Sequence, residues 1–265
     1  MTAFRHRTTE RHGALLEHLS LVGEASIADL SRDLGVSQVS IRRDLEYLAA
    51  RNLLRRTRGG AQTLTQPGQV SVFDARLRTN LPVMAAIGAR AAALVEPGDT
   101  ILLDSGTTVL EVARHLPASL INDRGLTVVT RSLSIAAEFR QRTRVRLFVL
   151  GGMYLHEFDT FVGEQVEQAL RNLHVGALFM GTDGISAARG LTTDNALEAP
   201  LYRTMVGVAD RVIVVADAGK IGVEKLQATV PLEGIHTFVT DEAAPVEFID
   251  LLRSRGVDVL TAAKR

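Results

Sequence analysis

The sequence contains no cysteine and no tryptophan, its aromatic content is only 5%, and its formal net charge is zero. The missing cysteine excludes disulfides and thiolate metal sites. No apolar run reaches the roughly 18 residues of a membrane-spanning helix, and the opening MTAFRHRTTERH lacks the apolar core of a signal peptide. We therefore expect a cytoplasmic protein without a membrane segment. Because 46% of the residues are hydrophobic, a sizeable core is affordable.

The neutral total conceals a basic N-terminal segment. Residues 1–62 carry 10 Arg against 7 acidic residues, whereas the remainder carries 20 basic against 23 acidic residues. Six of those Arg lie between Arg42 and Arg58. Such a cluster is typical of a surface that binds an anion, nucleic acid included. On charge alone, however, a solvated helix face is the favoured interpretation.

Hydrophobic periodicity in residues 14–50 predicts three short helices. Ser26 and Ser37 stand where they would cap the second and third helices, and Gly35 provides a tight turn between them. This is the layout of a helix-turn-helix. The run LLRRTRGGAQTL that follows predicts two short strands around a turn, which is a wing.

The third predicted helix turns polar side chains away from its apolar stripe, as a DNA-reading helix does. Arginines of the wing would follow the DNA backbone. The predicted DNA-binding residues are Ser37, Gln38, Ser40, Arg42, Arg43, Arg55, Arg56 and Arg58. A protein-docking module without a DNA role is the alternative, and the placement of the arginines favours DNA.

The stretch SIADLSRDLGVSQVSIRRDLEYLAARNLLRRTRGGAQTL closely resembles the winged helix-turn-helix of DeoR-family transcription regulators. Its GVSxxxIRRDLxxLxxxxLxRRxxGGA spacing is highly specific to that family. The resemblance implies that Ser37, Gln38, Ser40, Arg42 and Arg43 belong to the helix that reads double-stranded operator DNA. Since operator half-sites reflect two-fold protein symmetry, we expect a homodimer or homotetramer.

Seven apolar runs alternate with helical patterns in the rest of the chain, after a predicted linker at residues 63–78. The runs are TILLD, LTVVT, RLFVLGG, ALFMG, RVIVVAD, HTFVTD and VDVLT. Apolar strands separated by helices predict a mostly parallel sheet covered on both faces. We therefore expect a small winged helix-turn-helix domain at residues 1–62 and an α/β domain at residues 79–265.

Hydroxyl, glycine, acidic and basic residues collect where five of these strands end. Because ligands of such sheets bind at the carboxyl ends of the strands, we predict a shared pocket there. For any single strand end, ordinary turn chemistry is the preferred interpretation, and it is the occurrence of five at one edge that favours a pocket. The predicted effector-binding residues are Asp104, Ser105, Gly106, Thr107, Thr108, Thr130, Arg131, Ser132, Gly151, Gly152, Asp183, Glu198 and Lys220.

The turn DSGTT has the composition of a phosphate site, because glycine permits a close turn and the amides of the following helix point at the ligand. It contains no cation, so we expect Lys220 or Arg131 to reach the phosphate from other strands. Asp104 would repel phosphate and is assigned to a sugar hydroxyl or to holding the loop. The alternative is a helix start capped by Ser105 or Thr107, with nothing bound.

The same turn resembles the phosphate turn of ribose-5-phosphate isomerase, which raises an enzyme as the rival class. Sugar isomerisation needs a positioned base and an acid. That enzyme has two close acids in a DGADE-like run, whereas this chain has MGTDGIS with Asp183 as its single acid. We therefore predict that the chain is not an enzyme, with an isomerase carrying an appended head as the alternative.

The order and spacing of DSGTT, VVTRS, LGG, GTDGIS, GLTT and ADAGKIG also resemble the sensor domain of the DeoR family. The resemblance implies a fold related to sugar-phosphate isomerases and a phosphorylated sugar that is bound without being converted. It assigns residues 105–108 to phosphate, Asp183 and Glu198 to the sugar, and Lys220 to the anion. Arg131 departs from the Asn that many members have.

Together these patterns predict a repressor of a sugar-utilisation operon that a phosphorylated sugar releases from its operator. The chain most resembles regulators of amino-sugar or galactitol pathways. We predict no cofactor and no metal, since His156 and His174 are isolated and no pair of ligands has metal spacing.

Overall fold

The chain divides into two compact units, Met1–Thr79 and Asn80–Arg265. We describe them from a computed structural model, which covers residues 11–12, 15–16, 18–19, 22–50, 53–63, 71, 73, 76–77, 81–122 and 125–263. Most of the predicted linker at residues 63–78 lies outside this part of the chain. Over the described residues, no helix has the length and hydropathy to cross a membrane.

The N-terminal unit combines helices with a three-stranded antiparallel sheet. The helices are α1 (Ile27–Asp33) and α2 (Gln38–Ala49), and the described residues between 11 and 19 are helical as well. The strands are β1 (Glu24–Ser26), β2 (Arg55–Thr57) and β3 (Gly60–Gln62), in the order β1–β3–β2. The predicted winged helix-turn-helix is confirmed, with β1 as a third strand that we did not predict.

Both predicted serine caps are present in this unit. Ser26 Oγ accepts a hydrogen bond from the amide of Asp29 at 3.1 Å, and Ser37 Oγ accepts one from the amide of Ser40 at 3.3 Å. Each bond satisfies an amide that the first helical turn leaves without a backbone partner. The two serines therefore fix where α1 and α2 begin.

One apolar core joins the helices and the sheet of the N-terminal unit, and one acid is buried beside it. The core contains Leu15, Leu19, Ala25, Ile27, Leu30, Ile41, Leu45, Leu48, Leu54 and Ala61. Asp44 accepts hydrogen bonds from Arg11 Nε at 2.5 Å and from His12 Nε2 at 3.0 Å. Burial alone would raise the pKa of Asp44, but these bonds outweigh it and lower that pKa. Asp44 thus ties the N-terminal segment to α2.

The C-terminal unit is organised around a seven-stranded parallel sheet. The strands of the unit are β4 (Thr100–Leu103), β5 (Thr127–Thr130), β6 (Arg146–Val149), β7 (Met153–Leu155), β8 (Thr160–Val162), β9 (Val175–Met180), β10 (Gly184–Ser186), β11 (Gly190–Thr193), β12 (Ala209–Val215), β13 (Gln227–Val230), β14 (Thr237–Asp241) and β15 (Asp258–Ala262). The large sheet has the order β15–β14–β12–β9–β4–β5–β6, and each neighbouring pair is parallel.

All seven apolar runs are strands of this sheet, so the predicted α/β class is confirmed. The helices are α3 (Leu81–Ala92), α4 (Thr107–Arg114), α5 (Ala118–Asn122), α6 (Leu133–Phe139), α7 (Glu164–Arg171), α8 (Ala199–Gly207) and α9 (Val246–Ser254). We did not predict the hairpin β7–β8 or the antiparallel sheet β10–β11–β13. Their strands have three or four residues, which is too short for a clear period.

Close packing of α3 against α4 sets the position of the DSGTT turn. A Cβ atom on Gly88 would lie 2.6 Å from the backbone carbon of Glu111, so the two helices meet backbone to backbone. Val109, Leu110, Val112 and Ala113 on α4 are buried. The start of α4 is therefore held firmly at the end of β4.

Candidate functional site

The outward side of α2 carries most of the predicted DNA-binding residues. Gln38, Arg42 and Arg43 are exposed. Ser37 and Ser40 are engaged with each other at the helix start, where their hydroxyl oxygens lie 3.0 Å apart. The N-terminal half of α2 therefore presents two cations and one amide to its surroundings.

The wing divides its three predicted arginines between two roles. Arg55 and Arg58 are exposed. Arg56 is half-buried, and its guanidinium donates a hydrogen bond to the backbone oxygen of Arg42 at 3.3 Å. The wing also depends on Gly60, since a Cβ atom there would lie 2.1 Å from the backbone oxygen of Ala25. Arg56 thus links the wing to α2, while its neighbours face outward.

Five adjacent strands of the parallel sheet end in the predicted effector-binding residues. In sheet order they are β12, β9, β4, β5 and β6. Because the strands are parallel, their carboxyl ends meet at one edge, with β4 in the middle. Every predicted residue except Glu198 ends or follows one of these strands, and Glu198 stands at the start of α8. The sheet therefore brings the predicted strand ends together.

The DSGTT turn leads into a helix start that no described side chain caps. The N-cap of α4 is Gly106, with φ of 114°, and it has no side-chain cap hydrogen bond. Thr107 instead donates its hydroxyl hydrogen to Met84 Sδ at 3.2 Å. The alternative of a helix start capped by Ser105 or Thr107 is therefore wrong. The partial positive charge of the first turn of α4 is not offset by a capping side chain.

Arg131 is fully buried and holds two acids together. Its Nε donates to Asp104 Oδ1 at 2.6 Å, and one terminal nitrogen donates to Glu198 Oε1 at 2.9 Å. The other terminal nitrogen donates to Thr160 Oγ1 at 2.8 Å, and the guanidinium carbon lies 5.6 Å from the ring centroid of Tyr202. We expected this cation to approach a phosphate. The structure instead commits the guanidinium to Asp104 and Glu198.

The ionisable groups of this cluster shift one another's pKa values. Burial raises the pKa of Glu198, and Arg131 opposes the rise without cancelling it. Burial alone would lower the pKa of Arg131, but the attraction of Asp104 and Glu198 outweighs it and raises that pKa. Asp104 Oδ2 is buried without a hydrogen-bond partner in the described part of the chain. The cluster therefore retains an unused acceptor beside the DSGTT turn.

The strand end after β5 is tied to the hairpin β7–β8. Ser132 caps α6, and its hydroxyl donates to Asp159 Oδ2 at 2.5 Å. Thr130 Oγ1 accepts a hydrogen bond from the amide of Ser132 at 3.1 Å. Asp159, in the left-handed region with φ of 52°, also accepts from the hydroxyl of Tyr154 at 2.9 Å. Asp159 and Thr160 were absent from our predicted site, and no local pattern marks either of them.

The remaining predicted residues have differing surroundings. Gly151 faces open space, whereas a Cβ atom on Gly152 would lie 2.6 Å from the backbone oxygen of Val162. Asp183 accepts a hydrogen bond from Thr193 Oγ1 at 2.8 Å. Lys220 is half-buried. Within the described ranges, no group of three or more His, Asp or Glu is arranged to hold a metal ion.

Comparison with known proteins assigns both units. Residues 11–67 match the model of the DeoR-like helix-turn-helix domain, and residues 82–242 match that of the DeoR C-terminal sensor domain. The chain belongs to the DeoR family. The family places it among DNA-binding transcriptional repressors and regulators rather than among enzymes.

Relatives match along most of their length. The chain is 35% identical to the transcriptional repressor AccR of Agrobacterium fabrum, over 88% of this chain and 90% of the relative. It is 32% identical to the HTH-type transcriptional repressor GlcR of Bacillus subtilis, over 95% of each chain. The predicted DeoR-family regulator is therefore confirmed.

Solved structures resemble the chain more distantly. Ribose 5-phosphate isomerase A from Methanocaldococcus jannaschii matches with a TM-score of 0.41 and 18% identity, over 56% of this chain and 57% of that one. The eIF2B beta subunit from Chaetomium thermophilum matches with a TM-score of 0.42 and 14% identity, over 60% and 48%.

Proposed function

We propose that this DeoR-family regulator represses a sugar-utilisation operon and that a phosphorylated sugar releases it from its operator. Helix α2 and the wing bind double-stranded operator DNA, and the carboxyl edge of the parallel sheet binds the sugar phosphate. The observation that carries the sensor half is the start of α4, which no side chain of the described residues caps and which lies at the centre of five polar strand ends.

The DNA half of the proposal rests on exposed cations at the start of a recognition helix. Arg42 and Arg43 are exposed in the N-terminal half of α2, and Arg55 and Arg58 are exposed on the wing. Recognition helices contact base edges with their N-terminal residues, and phosphate contacts position the protein. In the proposed homodimer or homotetramer, each pair of heads binds one two-fold operator.

Within the sensor, the proposed phosphate site rests on the turn after β4. Gly106 lets the backbone turn closely, so the first amides of α4 point toward a bound anion. Lys220 follows β12, two strands away from β4 in the sheet. That separation is about 10 Å between strand axes, which a lysine side chain and a phosphate together can span. We therefore assign the phosphate to residues 105–108 and its countercharge to Lys220.

The proposed sugar site uses the acidic residues that lie near this turn. Asp183 and Glu198 stand beside the same edge, and Asp104 Oδ2 is an acceptor without a partner in the described structure. Carboxylate oxygens accept hydrogen bonds from sugar hydroxyls. Arg131 acts on the ligand through these acids, because it fixes Asp104 and Glu198 in place. Release of DNA then requires that the ligand bind the DNA-free form more tightly than the DNA-bound form.

A thermal-shift screen of aldose, ketose and amino-sugar phosphates, with inorganic phosphate as a reference, tests the sensor site. We expect Thr108→Val and Lys220→Ala to reduce the shift given by each active compound. Lys225→Ala is the matched control, because Lys225 pairs with Asp194 at 2.8 Å. Equal shifts in all four proteins would overturn the site assignment.

Titration of operator DNA in the presence of the active compound tests the regulation. We expect operator affinity to fall as the compound saturates the sensor. Unchanged affinity would overturn effector release, and conversion of ribose 5-phosphate by the protein would revive the isomerase alternative.

A further inference from the structure

Val39 is an exposed aliphatic residue on the outward side of α2. Its side chain is 59% exposed. At about 100° per residue, it lies roughly 170° from the mean direction of the buried side of the helix. That side consists of Ile41, Asp44, Leu45 and Leu48. Val39 therefore points directly away from the core of the N-terminal unit.

Charged residues surround Val39 on the same side of the helix. Arg42, Arg43 and Glu46 follow it at i+3, i+4 and i+7, and all three are exposed. A single exposed aliphatic residue is ordinary on a protein surface. Its position is less ordinary, because it occupies the first turn of the recognition helix, one turn before two exposed cations. Val39 is not among the predicted DNA-binding residues, all of which have polar or charged side chains.

The other exposed apolar residue of α2 has a role within the N-terminal unit. Tyr47 is 45% exposed, and its ring stacks on that of His12 with the centroids 4.8 Å apart. Tyr47 also belongs to the last turns of α2, away from the end that reads bases. Val39 is thus the apolar side chain at the base-reading end.

We propose that Val39 reads a thymine in each operator half-site through contact between its isopropyl group and the C5-methyl group of the base. The thymine methyl is the apolar mark that base pairs present in the major groove, and aliphatic side chains recognise it. Arg42 and Arg43, one turn further along α2, supply contacts to phosphates or guanines. The inference rests on the proposed placement of α2 in the major groove.

Replacement of thymine by deoxyuridine tests the contact, because it removes only the methyl group. The probe is a duplex selected from a random library by the full-length protein, with each thymine replaced in turn. We expect one thymine in each half-site at which deoxyuridine weakens binding about fourfold, as burial of one methyl group predicts. In Val39→Ala, the thymine and deoxyuridine duplexes bind equally at that position.

Val22→Ala is the matched control, since Val22 is 51% exposed and lies outside α2. We expect it to keep the fourfold preference for thymine. We also expect Val39→Ala to leave the dependence of affinity on salt unchanged, whereas Arg43→Ala lowers the slope by about one. Val39→Thr, which keeps one methyl group and the branched shape, retains part of the preference.

Two results would overturn the inference while leaving DNA binding intact. One is a selected duplex in which no deoxyuridine replacement matters. The other is a preference for thymine that survives in Val39→Ala, because another group would then read the methyl. Absence of any salt-dependent binding by the wild-type protein would instead overturn the proposed DNA role of α2.

Discussion

Two sets of arginines, one in each unit of this molecule, have opposite surroundings. In the N-terminal unit, Arg42 and Arg43 extend from α2 into the exterior. In the C-terminal unit, Arg131 is fully buried and donates hydrogen bonds to Asp104 and Glu198. The first arrangement leaves a positive charge available to a partner, whereas the second uses the charge to hold two acids inside the protein.

The difference follows from the hydration of the guanidinium group. An exposed guanidinium remains solvated and costs the fold little, so it can bind a phosphate with modest desolvation. A buried guanidinium has lost its hydration and depends on its acidic partners, and each partner depends on it. We infer that removing an exposed arginine weakens binding, while removing the buried one weakens the fold.

Arg131→Met is the strongest test of this contrast. We expect the free energy of unfolding to fall by about 3–5 kcal/mol, because Asp104 and Glu198 would remain buried without their cation. Arg43→Met should change it by no more than about 0.5 kcal/mol, since the side chain is exposed. Urea denaturation followed by circular dichroism measures both.

A rescue variant separates lost charge pairing from lost packing. Adding Asp104→Asn and Glu198→Gln to Arg131→Met removes the uncompensated negative charges, so we expect part of the stability to return. If Arg131→Met is as stable as Arg43→Met, the buried cluster of Arg131, Asp104 and Glu198 does not stabilise the C-terminal unit.

A pair of buried threonines sharpens the contrast within the sensor unit. Thr160 Oγ1 accepts a hydrogen bond from Arg131, whereas Thr240 Oγ1 has no partner among the described residues. We expect Thr160→Val to cost about 1–3 kcal/mol, because it leaves a buried donor of Arg131 unsatisfied. Thr240→Val, which keeps the shape and loses only an unpaired hydroxyl, should be neutral or stabilising.

Urea denaturation of the two valine variants gives the answer directly. Both threonines are fully buried, so a difference between the variants reports the hydrogen bond to Arg131 rather than burial. Equal losses would show that the bond to Thr160 contributes nothing measurable.

The two candidate helix starts provide a third comparison. Ser37 caps α2, whereas α4 begins at Gly106 without a cap from any side chain that the structure describes. We expect Ser37→Ala to lower the free energy of unfolding by about 1 kcal/mol. Ser105→Ala should lower it by less, because Ser105 caps no amide, and should instead reduce the thermal shift given by a sugar phosphate. If Ser105→Ala lowers the free energy of unfolding as much as Ser37→Ala does, Ser105 acts as a cap and the description of α4 is wrong.

The sequence predicted the scaffold of the site well, for a local reason. Buried parallel strands are apolar along their whole length, so each of the seven strands could be predicted from its own residues. The serine caps at Ser26 and Ser37 were equally local. Because parallel strands share one carboxyl edge, the run order was enough to expect polar strand ends close together.

Side-chain partners could not be predicted in the same way. The letters TRS place Arg131 at a strand end but do not say whether the side chain faces a ligand or the interior. Its partner Thr160 comes from a hairpin too short to have a period, and Glu198 lies 67 positions along the chain. Such pairings depend on tertiary packing, which the local pattern does not encode.

The smallest predicted effect is on the pH dependence of stability, which has opposite signs in the two units. Burial raises the pKa of Glu198, so its folded state holds a proton more tightly than the unfolded chain does. The stabilisation from Glu198 is complete below the unfolded pKa of about 4.3 and is lost as pH rises through the folded pKa. We expect Glu198→Gln to remove this loss from the sensor unit.

Asp44 in the N-terminal unit behaves in the reverse sense. The hydrogen bonds from Arg11 and His12 lower its pKa against the opposing effect of burial, so its stabilisation is present above the unfolded pKa of about 3.9. That contribution is lost as pH falls through the folded pKa, and Asp44→Asn should abolish the loss. Urea denaturation of each variant between pH 3 and 8 measures both signs. Glu198→Gln and Asp44→Asn should alter the pH profile of stability in opposite directions. If they alter it in the same direction, the direction of the pKa shift is wrong for Glu198 or for Asp44.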